Sequence, residues 1–140
     1  MFLPESKYFK YNDFVVSDRN IIKDLTIAYQ TWGEINSKRN NAILICHVYK
    51  NHHFPQDQNI GWFNNLMIFG KAVDTGKYFV IFANMLGSSF GSTGPKSINP
   101  KTNLPFGSDF PLIKNIYIIN TQKLLIENLK IKKLYSIRGY

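Results

Sequence analysis

The chain has a single cysteine, Cys46, in 140 residues, so no disulfide can close within it, which fits a reducing compartment. It has no apolar run near the roughly 20 residues needed to cross a bilayer, and its opening, MFLPESKYFKYND, lacks the sustained apolar core of a signal peptide. The expectation is a cytoplasmic protein with no membrane partner. Acidic side chains are scarce, 9 against 17 basic, for a net charge of +8. Fourteen of the basic residues are lysines, scattered between apolar segments without a long basic block. A solvated basic surface is expected, with no nucleic-acid partner; a binding module that takes nucleic acid in a salt-dependent way is the competing reading. Internal repeats and linker-like stretches are absent too, so residues 1–140 read as one domain. What is present is a composition of 44% apolar and 15% aromatic residues, enough for a packed core.

The chain is organised around residues 77–111. An apolar run at 78–82 reads as a strand buried on both faces. A long loop follows, interrupted by Gly87, Gly91, Gly94, Pro95, Pro100, Pro105, Gly107 and Pro111, which stops helices and strands from propagating. Ordinary connections are about 4–6 residues, so a loop of this size marks function or disorder, and its polarity after a buried strand favours function.

Upstream, residues 7–16 read as one aromatic, β-branched strand, turned by Asp18, Arg19 and Asn20 into a second strand where Leu25, Ile27 and Tyr29 alternate with polar or small residues. These two are expected to pair as a hairpin. Residues 42–46 (AILIC) form a doubly buried strand ending at His47, and a helix is expected around 62–73. Downstream, Ile116, Ile119, Lys123 and Ile126 fall on one helical stripe, widened by Leu124, Leu125 and Leu129. This predicts a helix over 115–129 with Asn115 as N-cap, then a strand over 134–137. The fold class is α/β, an antiparallel hairpin followed by a largely parallel sheet with flanking helices. Ligands of such sheets bind beyond the carboxyl ends of the strands, here after His47, Leu86 and Ile137.

Gly87-Ser88-Ser89-Phe90-Gly91 matches G-x-S-x-G, in which a sharp strand-to-helix turn exposes a nucleophilic serine. The glycines and prolines after Ser89 leave no room for that helix, so the match is formal. Gly91, Gly94, Lys96 and Ser97 loosely follow a phosphate-binding loop, but Pro95 interrupts it and no helix begins. His52 and His53 read as surface loop residues and His47 as a hydrogen-bonded structural histidine. Neither a metal nor a bound cofactor is expected.

One resemblance covers nearly the whole chain. The segment from Leu25 through Gln30-Thr31-Trp32 to Glu34, NAILICH at 41–47, Gly61-Trp62-Phe63, Gly70-Lys71-Ala72-Val73-Asp74-Thr75, Gly91-Ser92-Thr93-Gly94-Pro95, Ser97-Ile98-Asn99-Pro100-Lys101-Thr102 and Gly107-Ser108-Asp109-Phe110-Pro111 follow the order and spacing of the homoserine O-acetyltransferases, acyltransferases of the α/β-hydrolase fold. The chain resembles the N-terminal part of that family. The resemblance implies acetyl transfer from acetyl-CoA to L-homoserine, in methionine biosynthesis, through an acyl-serine activated by a histidine and an acid.

It also implies where that chemistry is missing. In the family the strand matching 134–137 enters G-G-S-x-G-G, whereas this chain reads Ile137-Arg138-Gly139-Tyr140. The catalytic serine, acid and histidine are therefore expected to be absent, leaving an incomplete α/β-hydrolase-like domain, inactive alone. A separately encoded chain carrying the missing half is the alternative. After His47 the family has A-L-T-G, whose backbone supplies an oxyanion donor; here stand Val48-Tyr49-Lys50-Asn51, making the Tyr49 N–H the oxyanion-hole candidate. At the helix entry T-[IV]-R-D is replaced by Lys114-Asn115-Ile116-Tyr117, and Lys130 stands where a helix-ending glycine is expected.

Overall fold

A computed structural model describes residues 5–17, 20–47 and 70–139. Its centre is a five-stranded sheet built from β1 (Lys7–Tyr11), β4 (Leu25–Trp32), β5 (Ala42–Cys46), β6 (Phe79–Ala83) and β9 (Leu134–Gly139), in the order β1-β4-β6-β5-β9. β1 and β6 run antiparallel to β4, whereas β5 runs parallel to both β6 and β9. The expected class, antiparallel strands leading into a parallel sheet, is what forms.

β5 and β6 are central because nearly every side chain along them is apolar: Ile43, Leu44, Ile45, Val80, Ile81 and Phe82 are all buried. Alternate residues feed opposite faces. Leu44 and Ile81 join Phe9, Ile27 and Leu125 on one side, while Ile43, Ile45, Val80 and Phe82 pack with Val73 on the other.

The predicted first strand is broken in two. Asp13 takes a left-handed conformation, φ 37°, which acidic and amide residues tolerate better than β-branched ones. The chain turns there, and β2 (Phe14–Ser17) leaves the main sheet to pair with β3 (Asn20–Ile22). Only the first half of the expected hairpin partner, β1, meets β4. Asn20 starts β3 and is not a turn residue.

The helix α1 (Asn115–Asn128) forms where predicted, but it is capped by Lys114 without a side-chain hydrogen bond; Asn115 is the first helical residue and not the N-cap. The predicted apolar face is inward only in its second half: Leu125 is buried with Leu124, Ile126 and Leu129 packed beside it, whereas Ile116 and Ile119 are more than half exposed and Thr121 is buried in their place. At the other end Lys130 adopts φ 56°. Its N–H donates to the Glu127 carbonyl at 2.9 Å and that of Ile131 to Ile126 at 3.2 Å, a Schellman ending made without glycine. The Arg39 guanidinium completes it, donating from Nε to the Lys130 carbonyl and from Nη2 to that of Leu129, each at 2.6 Å. The C-cap carbonyl of Leu129 and the carbonyl of Lys130 just beyond it are thus tied to the loop before β5.

The expected helix over 62–73 lies mostly outside the described residues; its last four, 70–73, are turn and bend with an isolated bridge, so no helix reaches Val73. The long loop is irregular apart from a short ladder between β7 (Ile98–Asn99) and β8 (Leu104–Pro105) and a 3-10 turn at Gly107–Asp109. No helix among the described residues is long and apolar enough to cross a membrane.

Candidate functional site

Because β5 lies between β6 and β9 in parallel register, with Ile45 opposite Phe82 and Cys46 opposite Gly139, the carboxyl ends of the three strands come level. That places His47, the segment starting at Asn84, and Gly139 together where ligands of such sheets bind. His47 is 5% exposed and Asn84 fully buried.

Asn84 anchors the loop that leaves β6. Its main-chain N–H donates to the Ala28 carbonyl at 2.9 Å. Its carbonyl accepts from the Ser92 hydroxyl at 3.0 Å, and its side-chain amide donates to the Phe90 carbonyl. Its Oδ1 and the Ser88 hydroxyl are buried with no partner among the described residues, two polar atoms beside the strand ends of a kind that folded proteins rarely leave unmet.

The loop then substitutes for a strand. β4 meets β6 only from Tyr29 to Trp32, so the earlier part of its edge needs other partners. The Ala28 N–H donates to Ser92 Oγ at 3.0 Å and the Thr26 N–H to Thr93 Oγ1 at 2.8 Å. The Thr93 N–H returns a bond to the Thr26 carbonyl at 2.8 Å. The neighbouring glycines permit this approach: Gly91 has φ 93° and a Cβ there would lie 3.0 Å from that of Ala28, while one on Gly94 would lie 2.6 Å from the Ser88 carbonyl oxygen. Thus Gly91-Ser92-Thr93-Gly94, whose two glycines the loose phosphate-loop match used, is a structural clasp. The alternating edge of β4 gave no sign in the sequence that hydroxyls complete it.

The clasp leaves an open cleft of about 650 Å³ at this same end of the sheet, lined by Lys23, Asp24, Thr26, Gly91, Thr93 and Phe106 among others. Ser89 is exposed in a bend with no helix after it, the wrong setting for a nucleophile elbow. After Lys96 and Ser97 comes β7, and Ser97 Oγ accepts the Gly94 N–H at 3.0 Å, so no phosphate-binding helix follows either. Ser136 lies within β9, its hydroxyl buried and unpartnered among the described residues. Burial pushes the Cys46 thiol above its ordinary pKa, disfavouring the nucleophilic thiolate at neutral pH. Tyr49, His52 and His53 lie outside the described residues. Among the described residues no three His, Cys, Asp or Glu side chains cluster as a metal site would need.

No protein-family model matches the chain. Curated relatives do. The homoserine O-acetyltransferase of Deferribacter desulfuricans is 41% identical over 144 residues, covering 98% of this chain and 38% of the relative. That of Methanococcus vannielii is 45% identical over 133 residues, covering 91% and 27%, and that of Pasteurella multocida 42% over 142 residues, covering 99% and 39%. This chain therefore spans well under half the length of these relatives. Among solved structures, the homoserine O-acetyltransferase from Bacillus anthracis superposes with a TM-score of 0.87 at 31% identity, over 99% of this chain and 40% of that one. Esterase E22 superposes with a TM-score of 0.87 at 32% identity, over 96% and 40%.

Proposed function

This chain corresponds to the N-terminal part of the homoserine O-acetyltransferase family, with the fold of an N-terminal α/β-hydrolase half, and from that premise we propose that it builds one wall of an acetyl-transfer site and does not catalyse the transfer by itself. The reaction would carry an acetyl group from acetyl-CoA to the hydroxyl of L-homoserine, a step of methionine biosynthesis in the cytoplasm. What this half contributes is position. By the family resemblance, the Tyr49 N–H, two residues after His47 in sequence, would donate to a developing oxyanion. The clasped loop after Asn84 would shape and dry the opposite side.

One observation carries the reading. The sole G-x-S-x-G of these 140 residues has its serine, Ser89, exposed in a bend with no helix after it, so it is not set at the strand-to-helix turn where an acyl group could be taken up. The purified chain is therefore expected to release no CoA from acetyl-CoA in the presence of L-homoserine, and to show no mass increase after acetyl-CoA alone. Turnover, or an acetyl ester on one of its serines, would overturn the proposal. A second reading, favoured by the 27–39% of the relatives' length that this chain spans, is that a separate polypeptide restores activity by supplying the nucleophile, the acid and the histidine.

A further inference from the structure

A fully buried asparagine is costly unless both halves of its amide are met. At Asn84 only one half is: Nδ2 donates to the Phe90 carbonyl, while Oδ1 is buried with no partner among the described residues. Ser88, in the same loop, adds a second buried and unmatched oxygen. An apolar side chain at position 84 would remove the orphaned acceptor, so packing alone does not account for an amide there. What the amide gains is a hold on the loop. Its donor fixes the Phe90 carbonyl directly before Gly91, which turns the chain at φ 93°. The next two residues, Ser92 and Thr93, then make the bonds to Ala28 and Thr26 that complete the edge of β4. The main chain of Asn84 closes the same circuit through Ala28 and Ser92.

We propose that Asn84 is the positioning residue of the wall beyond β6. One amide donor, Nδ2 on the Phe90 carbonyl, sets the register in which Ser92 and Thr93 meet β4, and residues 85–93 hold or loosen together with it. The role deepens the acetyl-transfer reading and rests on it for what the wall serves. Asn84 touches no reacting group in it; its effect travels through the loop to Phe90, whose ring is 42% exposed, and to the rim of the cleft at Gly91 and Thr93. A segment tied down by side-chain oxygens instead of a ladder opens locally, below the cost of global unfolding, so one donor can govern it.

The test is Asn84→Asp in the full 140-residue chain, with amide exchange followed by NMR beside the parent from about pH 7 to about pH 4. Protonated, the new carboxyl carries a donor in place of Nδ2; ionised, it carries none and sets a buried negative charge against the Phe90 carbonyl. Burial raises its pKa in the closed loop. Closure is therefore favoured below the open-loop value, near 4, and lost as pH rises through the closed-loop value. At neutral pH the N–H groups of Thr26, Ala28, Gly87 and Thr93 are expected to exchange roughly tenfold or more faster than in the parent, with the β5–β6 ladder unchanged. The gap should close toward about pH 4. The titratable groups on the strands beside position 84, Tyr29 on β4 with Cys46 and His47 at the end of β5, are common to both proteins. Ser88→Ala, which removes a hydroxyl that has no partner among the described residues, should leave the loop as protected as in the parent. Unchanged exchange at neutral pH, equal acceleration in the β5–β6 ladder, a gap that persists in acid, or a variant unfolded in acid where the parent is folded would each overturn the positioning role. A loop that loosens as expected in a chain that does turn over acetyl-CoA would uphold Asn84 and overturn the wall reading; an unmoved loop in a chain without turnover would do the reverse.

Discussion

Gly33 shows how one residue can limit a fold. It ends β4 at φ 73°, and a Cβ there would lie 2.2 Å from the Tyr78 carbonyl oxygen and 2.5 Å from that of Thr75, so main chain, not a movable side chain, blocks any substitution. Gly33→Ala combines left-handed strain with overpacking and is expected to destabilise by about 2–4 kcal/mol, seen as a lower denaturant midpoint; an unchanged midpoint would show that the 75–78 turn can move aside. That turn also holds Asp74. Main-chain N–H groups of Gly70 and Gly76 bond its carboxylate, with Lys77 nearby at 3.6 Å, and together they hold its pKa below the ordinary carboxylate value. A folded pKa below the unfolded one means stability that is complete above the unfolded value, near 4, and lost as pH falls through the folded one. Asp74→Asn should therefore lower Tm at neutral pH, with the gap from the parent closing below about pH 4. A gap that persisted in acid would assign the loss to packing instead of charge.

At the scale of elements, the junction between α1 and the loop before β5 is stabilised by charge in spite of its backbone. Lys130 holds a left-handed position that costs an L-residue about 1–2 kcal/mol, offset in part by the greater unfolded-state entropy of glycine. Lys130→Gly is expected to raise stability by roughly 0.5–1 kcal/mol. Arg39→Ala removes both guanidinium bonds to the helix end and should cost about 1–2 kcal/mol. Thermal melts of the two single variants and the double variant would check both signs, and coupling is expected because Arg39 Nε bonds the carbonyl of residue 130 itself. These elements also show what was legible beforehand. β5 and β6 could be read because a strand buried on both faces announces itself as an unbroken apolar run. The inward face of α1 was legible only from Leu124 to Leu129; in the first turns Ile116, Tyr117, Ile118 and Ile119 are consecutive apolar side chains and leave the period ambiguous. Nor could the break at Asp13 be read, since the β-rich pattern continues through it, or the clasp, where Ser92 and Thr93 do a strand's work with side-chain oxygens. The site region was legible through topology, as the carboxyl ends of β5, β6 and β9, while its buried Asn84 and Ser88 were not, because nothing in their immediate sequence distinguishes them from loop polarity.

Over the whole molecule, charge sets the balance that individual contacts do not. Seventeen basic residues face nine acidic ones. The two ion pairs among the described residues are local, Lys77 with Asp74 and Lys123 with Glu127 at 3.9 Å, and both lysines are largely exposed. Such pairs contribute little, a median of about 0–1 kcal/mol. The unmatched lysines repel one another across a small fold. That repulsion acts over distance and is screened as the Debye length shrinks from about 30 Å at 0.01 M salt to about 10 Å at 0.1 M. Tm should therefore rise with added sodium chloride, by a few degrees between roughly 0.01 and 0.3 M. Lys132→Glu with Lys133→Glu, at positions whose main-chain N–H groups donate to the Arg39 carbonyl, should raise Tm at low salt and flatten its salt dependence. If Tm fell with salt instead, attractive pairs would be holding this fold together, and a net charge of +8 would not be the dominant electrostatic term.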